Sequence, residues 1–204
     1  IGRISDSACM HVFITDMLEV GVKGQNGHSE GGLSLVEQRT HYGLWCVTSS
    51  PLTLSHDVGD RLVTDKIWPI LSNTEALAVS QSYFGHPGTL AEEDNGAGSA
   101  QGPFEVWAKS QGKGKTAILV VNTASSGTAT ISISLTRYGP APTRIRDIWQ
   151  RKDLPAPAPG ERLVVSDLAA HDSRFLLLDA SGSLGSGSQH RNRLGKAGAQ
   201  DDIA

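Results

Sequence analysis

Two adjacent residues, Asp16 and Met17, are the first candidates for chemistry in this sequence of 204 residues. They follow an apolar run, His11–Ile14, that is typical of a short β-strand. A carboxylate and an apolar side chain at the carboxyl end of a strand could bind a polar ligand, because β/α barrels build their substrate sites at that end. The alternative is that Asp16 caps a loop and Met17 fills space in a core.

Other local motifs indicate no catalytic or metal site. Gly114-Lys115-Thr116 resembles the end of a phosphate-binding loop, but Lys109 stands where that loop requires a glycine, so we interpret the segment as a hairpin turn. The histidines form neither an HExxH sequence nor a close pair on a helix face, so we expect no metal and no cofactor. We interpret His41 as a surface or partly buried structural residue. The sequence also lacks the GxSxG pattern of serine hydrolases.

Composition describes a globular protein of ordinary polarity, with 38% hydrophobic and 19% charged residues. Apolar runs stay well below the roughly 18 residues that span a bilayer, so we expect no membrane insertion. A net charge of -3 leaves no basic surplus for phosphates, and nucleic acid is therefore not an expected partner. The two cysteines, Cys9 and Cys46, could form a disulfide, although two free thiols are the simpler interpretation.

The elements that would position Asp16 and Met17 are helices and strands in alternation. A capping-box pattern from Ser34 to Glu37 predicts a helix that ends at about Ser49. Residues 51–55 then predict a buried strand, and residues 62–71 predict a second helix that leads through Asn73 into further helical sequence. Alternating strands and helices indicate a parallel α/β unit. About two such repeats are present, too few to close a barrel.

The second part of the chain has a different pattern, with short β-type runs separated by glycine and proline. Residues 128–135 alternate polar and apolar side chains, as a strand with one buried face does. We therefore predict an antiparallel sandwich. The predicted runs are Phe104–Trp107, Thr116–Val121, Thr128–Leu135, Arg144–Trp149, Leu163–Val165 and Ser173–Leu178. The predicted organisation is a strand–helix region at 1–87, a linker at 88–102, a β-sandwich at 103–179 and a disordered tail at 180–204.

Several segments, taken in order, resemble the α-galactosidase (melibiase) family, glycoside hydrolase family 27. Asp16–Gly21 is similar to the family's D-M-L-E-V-G segment, and Glu37–Trp45 is similar to its E-x-R-T-H-[FY]-x-L-W helix. Further similarities follow the same order to Leu178 and lie at residues 50–57, 70–81, 105–108, 120–122, 146–154 and 170–177.

The resemblance implies an α/β plus all-β fold: the C-terminal remnant (about two βα units) of a (β/α)8 TIM barrel, followed by an antiparallel β-sandwich domain. It also implies a retaining hydrolase that removes terminal α-linked galactose with two carboxylates about 5–5.5 Å apart. In the family these lie in K-x-D and R-x-x-x-D motifs upstream of D-M-L-E-V-G, so we expect no catalytic residue in this chain. Arg61–Asp65 has the second spacing but follows the segment similar to D-M-L-E-V-G, whereas the family's motif precedes it, and we reject it.

By resemblance, Asp16 and Met17 are the substrate-binding residues, as a hydrogen-bonding carboxylate and an apolar wall. The expected ligand is an α-galactoside oligosaccharide or glycoconjugate, and a secreted or lysosomal compartment is implied by the family alone. Galactose could be replaced by N-acetylgalactosamine or arabinopyranose. We expect the chain alone to be inactive and, because its barrel strands have open edges, to associate or be unstable. The alternative function is a non-catalytic carbohydrate-binding or structural β-module.

Overall fold

The computed structural model describes residues 17–24 and 32–181. The strand predicted at His11–Ile14, Cys9, Asp16 and most of the predicted tail lie outside the described residues. The described elements are α1 (Leu35–Thr48), α2 (Arg61–Leu71), α3 (Thr74–Gln81), β1 (Thr89–Asn95), β2 (Pro103–Gly112), β3 (Lys115–Asn122), β4 (Thr128–Ser134), a 3₁₀ helix (Leu135–Tyr138), β5 (Arg144–Asp147), β6 (Lys152–Leu154), β7 (Arg162–Ala169) and β8 (Ser173–Asp179).

Helix α1 begins at the predicted capping box. Ser34 Oγ accepts a hydrogen bond from Glu37 N at 3.3 Å, and Glu37 Oε2 accepts one from Ser34 N at 2.8 Å. These side chains satisfy N–H groups that have no intrahelical partner at a helix start. The helix ends where Ser49 turns left-handed, with φ 58°, and donates its N–H to Cys46 O. The helix predicted between Ser34 and Ser49 is confirmed.

Helices α2 and α3 are each capped by the residue directly before them. Asp60 Oδ1 accepts a hydrogen bond from Val63 N at 3.2 Å, in the first turn of α2. Asn73 Oδ1 accepts from the first turn of α3, and Asn73 Nδ2 donates to Ile148 O at 3.0 Å. Asn73 therefore begins a helix and also ties it to the end of β5. Both helices were predicted, and both are confirmed.

The segment Pro51–Ser55, predicted as a buried strand, is largely exposed and makes a single parallel bridge with described residues. Leu18 lies opposite Leu54, and Leu18 N donates to Thr53 O at 2.8 Å. Parallel strands are buried when other strands flank them and layers cover both faces. Among the described residues, this pair has helices on one face and no further strand beside it. The prediction of a buried strand is wrong, although the parallel direction agrees with consecutive βα units.

The predicted antiparallel sandwich is confirmed. One sheet has six strands in the order β1-β2-β3-β8-β5-β6, and β4 and β7 form a second sheet. All named strands pair antiparallel. The six predicted runs correspond to β2, β3, β4, β5, β7 and β8. Strand β6 was not predicted because its three residues are too few to show an alternating pattern.

Residues 88–102, predicted as a linker, contain strand β1. This strand pairs antiparallel with β2, from Thr89 opposite Ala108 to Asn95 opposite Pro103. Its side chains are mostly polar and exposed because β1 is an edge strand of the sheet. Charged side chains on an edge oppose pairing with another chain. The linker prediction is wrong because backbone hydrogen bonds, rather than apolar side chains, define this strand.

The turn between β2 and β3 explains the likeness to a phosphate-binding loop. Gly112, Lys113 and Gly114 have φ angles of 69°, 51° and 75°, in the left-handed region that favours glycine. Gly112 pairs with Lys115 across the turn, and Ser110 pairs with Thr116. The interpretation of this segment as a hairpin turn is confirmed.

Strand β3 is buried on both faces because a different layer covers each of them. Ile118 and Val120 lie in a core with β4 and β7, whereas Leu119 and Val121 lie in a core with the helices. Helix α1 approaches closely at Gly43, where an added Cβ would lie 2.9 Å from Leu119 Cδ1. The helices and one face of the six-stranded sheet therefore form a common core, and the boundary predicted at residue 87 does not separate two packing units.

A buried lysine joins β2 to α3 within this shared core. Lys109 is fully buried, and its Nζ donates to Val79 O and, at 3.2 Å, to Ser80 O near the end of α3. A cation at this position interacts favourably with the helix dipole. Burial nevertheless lowers the pKa of Lys109 to about 8. The buried Cys46 thiol is close enough to interact with it, and burial raises the pKa of Cys46 to about 12.

Replacing Lys109 by methionine should change how stability depends on pH. The folded-state pKa of about 8 lies below the ordinary 10.5, so between these values the unfolded chain binds more protons. The free energy of unfolding contributed by Lys109 therefore rises with pH in this window. Urea titrations at pH 7, 8, 9 and 10 should show wild-type stability rising relative to Lys109→Met.

The matched control is Lys152→Met, because Lys152 is exposed on β6. Above pH 9, the ordinary pKa of cysteine, Cys46 makes the free energy of unfolding fall with pH. Because all three proteins contain Cys46, it does not account for a difference between them. Parallel stability curves for the wild type and Lys109→Met would contradict the assignment.

Candidate functional site

The candidate site surrounds Met17, the first residue that the structure describes. The Met17 side chain is half-exposed and directly precedes the bridge between Leu18 and Leu54. Asp16 lies outside the described residues, so the structure positions one of the two predicted ligand-binding residues. Met17 nevertheless has a defined position, because it is bonded to Leu18, which pairs with Leu54.

The segment Leu18–Val22 follows Met17, and four of its five backbone N–H groups donate hydrogen bonds; we call it the anchored segment. Leu18 N donates to Thr53 O at 2.8 Å, and Leu18 O accepts a hydrogen bond from Ser55 Oγ. The side chains of Leu18 and Val20 are fully buried against the helices, while Glu19 is exposed. Alternation of buried and exposed side chains is the behaviour of a strand covered on one face.

Two side chains of α1 accept hydrogen bonds from backbone amides of the anchored segment. Gln38 Oε1 accepts from Gly21 N at 3.0 Å, and His41 Nε2 accepts from Glu19 N at 3.1 Å. Gln38 and His41 are three residues apart, so they project from the same side of the helix. The anchored segment therefore takes its position from α1 as well as from the neighbouring strand.

His41 can make this contact only in its neutral form. A ring nitrogen accepts a hydrogen bond when it carries no proton, which assigns the His41 proton to Nδ1. Burial lowers the pKa of His41, and the Glu19 carboxylate raises it by a smaller amount. The ring also packs against Trp45, with 3.8 Å between the ring centroids. Burial thus favours the protonation state that the hydrogen bond requires.

The turn at the end of the anchored segment requires glycine at position 21. Gly21 has φ 82°, and an added Cβ would lie 2.5 Å from Ile67 Cδ1 and 3.1 Å from His56 Cγ. His56 is itself buried, and its Nδ1 has no hydrogen-bond partner among the described residues. Backbone conformation and close packing therefore both exclude a side chain at Gly21.

A second side of α1 binds the loop between β7 and β8. Arg39 forms a 2.5 Å ion pair with Asp172, and Thr40 Oγ1 donates to His171 O at 2.8 Å. Two residues after Thr40, Tyr42 donates its hydroxyl to Leu71 O, at the end of α2, at 3.0 Å. One helix thus connects the sandwich, the anchored segment and α2.

Comparisons with known proteins show which family this chain resembles. Residues 101–178 match the family model described as the α-galactosidase C-terminal β-sandwich domain. An α-galactosidase from rice, Oryza sativa subsp. japonica, is 31% identical over 166 residues, covering 80% of this chain and 34% of its own length. The chain is related to the C-terminal part of the α-galactosidases of glycoside hydrolase family 27. It spans about a third of the length of the curated relatives it matches.

Solved structures of the family share the fold of this chain. α-Galactosidase I from Mortierella vinacea is 24% identical with a TM-score of 0.64, covering 81% of this chain and 39% of its own. A family 27 β-L-arabinopyranosidase from Geobacillus stearothermophilus is 23% identical with a TM-score of 0.64, covering 85% and 38%. The same backbone arrangement therefore occurs in proteins whose names give different sugars.

Arg61 and Asp65, whose spacing matches the R-x-x-x-D motif, lie apart from the site in this chain. Arg61 and Asp65 are exposed in the first turns of α2, as surface residues. Within residues 17–24 and 32–181, no group of His, Cys, Asp and Glu could hold a metal ion, and no helix could span a membrane. Gln38 was not singled out from the sequence, because its role depends on contact with a segment 17 residues away.

Replacing Gly21 by alanine should destabilise the protein by about 1–3 kcal/mol, because an added Cβ would displace Ile67 Cδ1 and lie 3.1 Å from His56 Cγ. The matched control is Gly98→Ala, since Gly98 has a similar φ of 76° and no atom within 4 Å of an added Cβ. Both variants carry the cost of the left-handed backbone, so their difference isolates the packing at Gly21. Urea unfolding measures both, and equal losses would contradict the close-packing argument.

Proposed function

We propose that this chain supplies the sugar-contacting end of the last two strand–helix units, together with the β-sandwich, of an α-galactosidase-type retaining glycoside hydrolase. The observation that carries the proposal is the parallel pairing of Leu18 with Leu54, with Met17 immediately before it. In a β/α barrel, consecutive strands are parallel and the carboxyl ends carry the substrate site. Asp16 would contribute hydrogen bonds to sugar hydroxyls, and Met17 would contribute an apolar wall.

The side-chain pattern supports a barrel origin for the paired segments. Leu18 and Val20 face the helices, as outward-facing residues of barrel strands do, while Met17 and Glu19 are exposed. In a complete barrel the inward-facing positions meet side chains of the other strands or the ligand. Exposure of Met17 and Glu19 is what a two-strand portion would produce without those neighbours.

We expect this chain alone to hydrolyse no glycoside. Retention of configuration requires two carboxyl groups about 5–5.5 Å apart on opposite sides of the glycosidic bond. The sequence contains no K-x-D, and its single R-x-x-x-D spacing, Arg61–Asp65, lies on the exposed surface of α2. Galactose binding without hydrolysis is therefore the activity proposed for the 204-residue chain.

The relatives and neighbours support a pyranose ligand and favour galactose. The rice and coffee relatives are named α-galactosidases. The Geobacillus neighbour is named a β-L-arabinopyranosidase, so arabinose is the natural competitor in a binding experiment. Galactose and arabinopyranose share their ring hydroxyls and differ in the exocyclic CH₂OH group. Comparing them tests whether the pocket contacts that group.

The purified chain should bind galactose weakly and release no aryl alcohol from an aryl α-galactoside. Isothermal titration with galactose and with arabinose measures binding, and absorbance measures hydrolysis. Asp16→Ala should weaken galactose binding about fivefold or more, the effect of losing one or two hydrogen bonds. Asp65→Ala is the matched control, because Asp65 is an exposed aspartate on α2.

The outcomes separate the alternatives. Turnover similar to that of a complete enzyme would refute the assignment of catalysis to residues outside this sequence. Equal affinities for Asp16→Ala and Asp65→Ala would refute the role of Asp16. If the chain binds neither sugar, a structural β-module is the better description.

A further inference from the structure

We propose that a cavity between α1, α2 and Trp149 binds a small monocarboxylate that carries an apolar ring. The cavity has a volume of about 260 Å³. Val36 and Arg39 line it from α1, Lys66 and Pro69 line it from α2, and Trp149 lines it from the turn after β5; we call it the helix cavity. None of its lining residues belongs to the anchored segment, so the inference is independent of the proposed sugar binding.

The helix cavity has two cationic side chains, and no carboxylate is among the described residues that line it. Arg39 forms an ion pair with Asp172, which compensates one of the two positive charges. Lys66 is exposed and makes no hydrogen bond or ion pair with any described residue. The lining therefore keeps one positive charge without a bound counter-charge. A ligand with a single negative charge would supply it.

Arg39 is held in place, yet most of its donors are unused. A guanidinium carries five N–H donors, and the hydrogen bond from Arg39 Nη2 to Asp172 Oδ1 uses one of them. Arg39 Nε is buried and has no hydrogen-bond partner in the part of the chain that the structure describes. The side chain as a whole is 35% exposed, so a ligand can reach it. Arg39 can therefore donate to a second carboxylate while it stays paired with Asp172.

Apolar side chains form the rest of the wall. Pro69 and Ile70 line the helix cavity together with the indole of Trp149. The indole is fixed, because its Nε1 donates to Ser173 Oγ at 3.3 Å and its ring packs against Phe175 with 5.2 Å between the centroids. Aromatic rings pair in offset or tilted arrangements. A positioned indole next to a proline ring therefore favours a ligand that presents a ring.

The volume of the helix cavity limits the size of the ligand. Sites for drug-sized molecules measure roughly 300–1,000 Å³. At about 260 Å³, this cavity lies just below that range. It can hold one ring with a carboxylate attached, whereas an oligosaccharide would extend well beyond it. The charge, the donors and the volume thus all indicate the same class of ligand.

Phenylacetate is the probe, because it combines one ring with one carboxylate. Titrated into the ¹⁵N-labelled 204-residue chain, it should shift the indole N–H resonance of Trp149, with a Kd of about 1 mM, as is ordinary for so small a ligand. Nuclear Overhauser effects should connect its ring protons to the methyl groups of Val36 and Ile70. Phenylacetamide has the same shape without the charge and should bind about fivefold more weakly or worse.

Lys66→Met should weaken phenylacetate binding about fivefold or more, because a charge-assisted hydrogen bond is lost. The exposed, unpaired Lys66 side chain can be replaced without disturbing the fold. Lys66→Arg should retain the affinity, since a guanidinium also donates to carboxylates. The matched control is Lys152→Met, which makes the same change of charge on β6 outside the helix cavity and should bind as the wild type does.

Three results would overturn the inference. One is a Trp149 indole resonance that does not move, or Overhauser effects that lead only to residues outside the helix cavity. Another is equal affinity for phenylacetate and phenylacetamide, because the site would then not select an anion. The third is equal weakening by Lys66→Met and Lys152→Met, which general electrostatic attraction would explain. If the chain binds phenylacetate as expected but binds no galactose, the inference stands and the proposed function fails.

Discussion

The close contact between α1 and the six-stranded sheet is the constraint on which the rest of the structure depends. An added Cβ at Gly43 would lie 2.9 Å from both Leu119 Cδ1 and Trp149 Cζ2, so the helix packs against these side chains with no room for one of its own at this position. This approach lets Tyr42, Cys46 and Val47 enter the core between the helices and the sheet. Packing density in such a core leaves little freedom for the helix to shift. The positions of all other α1 side chains follow from that fixed axis.

Three sides of α1 then serve three different neighbours. Arg39 and Thr40 bind the β7–β8 loop, Tyr42 reaches the end of α2, and Gln38 and His41 bind the anchored segment. Neighbouring residues in a helix point in different directions, which explains how a run of five residues can contact three elements. The segment Glu37–Tyr42 of this chain is therefore a set of connections, and the capping residue Glu37 fixes where the helix begins.

Local signals in the sequence predicted the elements that depend on local interactions. The capping box at Ser34, the glycines of the β2–β3 turn and the alternation in β4 each act within a few residues. Features that depend on distant partners were not predictable in the same way. The edge strand β1 has no apolar pattern, and Pro51–Ser55 looked buried because its alternation does not reveal which layers cover it. Asp16 remained a prediction from resemblance, and Gln38 gave no signal until its contact with Gly21 was known.

The sandwich is connected to the anchored segment because helix α1 makes contacts with both of them. The ion pair of Arg39 with Asp172 and the hydrogen bond of Thr40 with His171 O fix the helix at the sandwich. Gln38 and His41 flank Arg39 and Thr40 in the same helix, and they bind the backbone that follows Met17. No movable hinge separates these contacts, since all four side chains arise within one turn of a capped helix. Displacement of the β7–β8 loop would therefore move Glu19 and Gly21 directly. On this basis the sandwich acts as a rigid support for the anchored segment, rather than as an independent module attached to it.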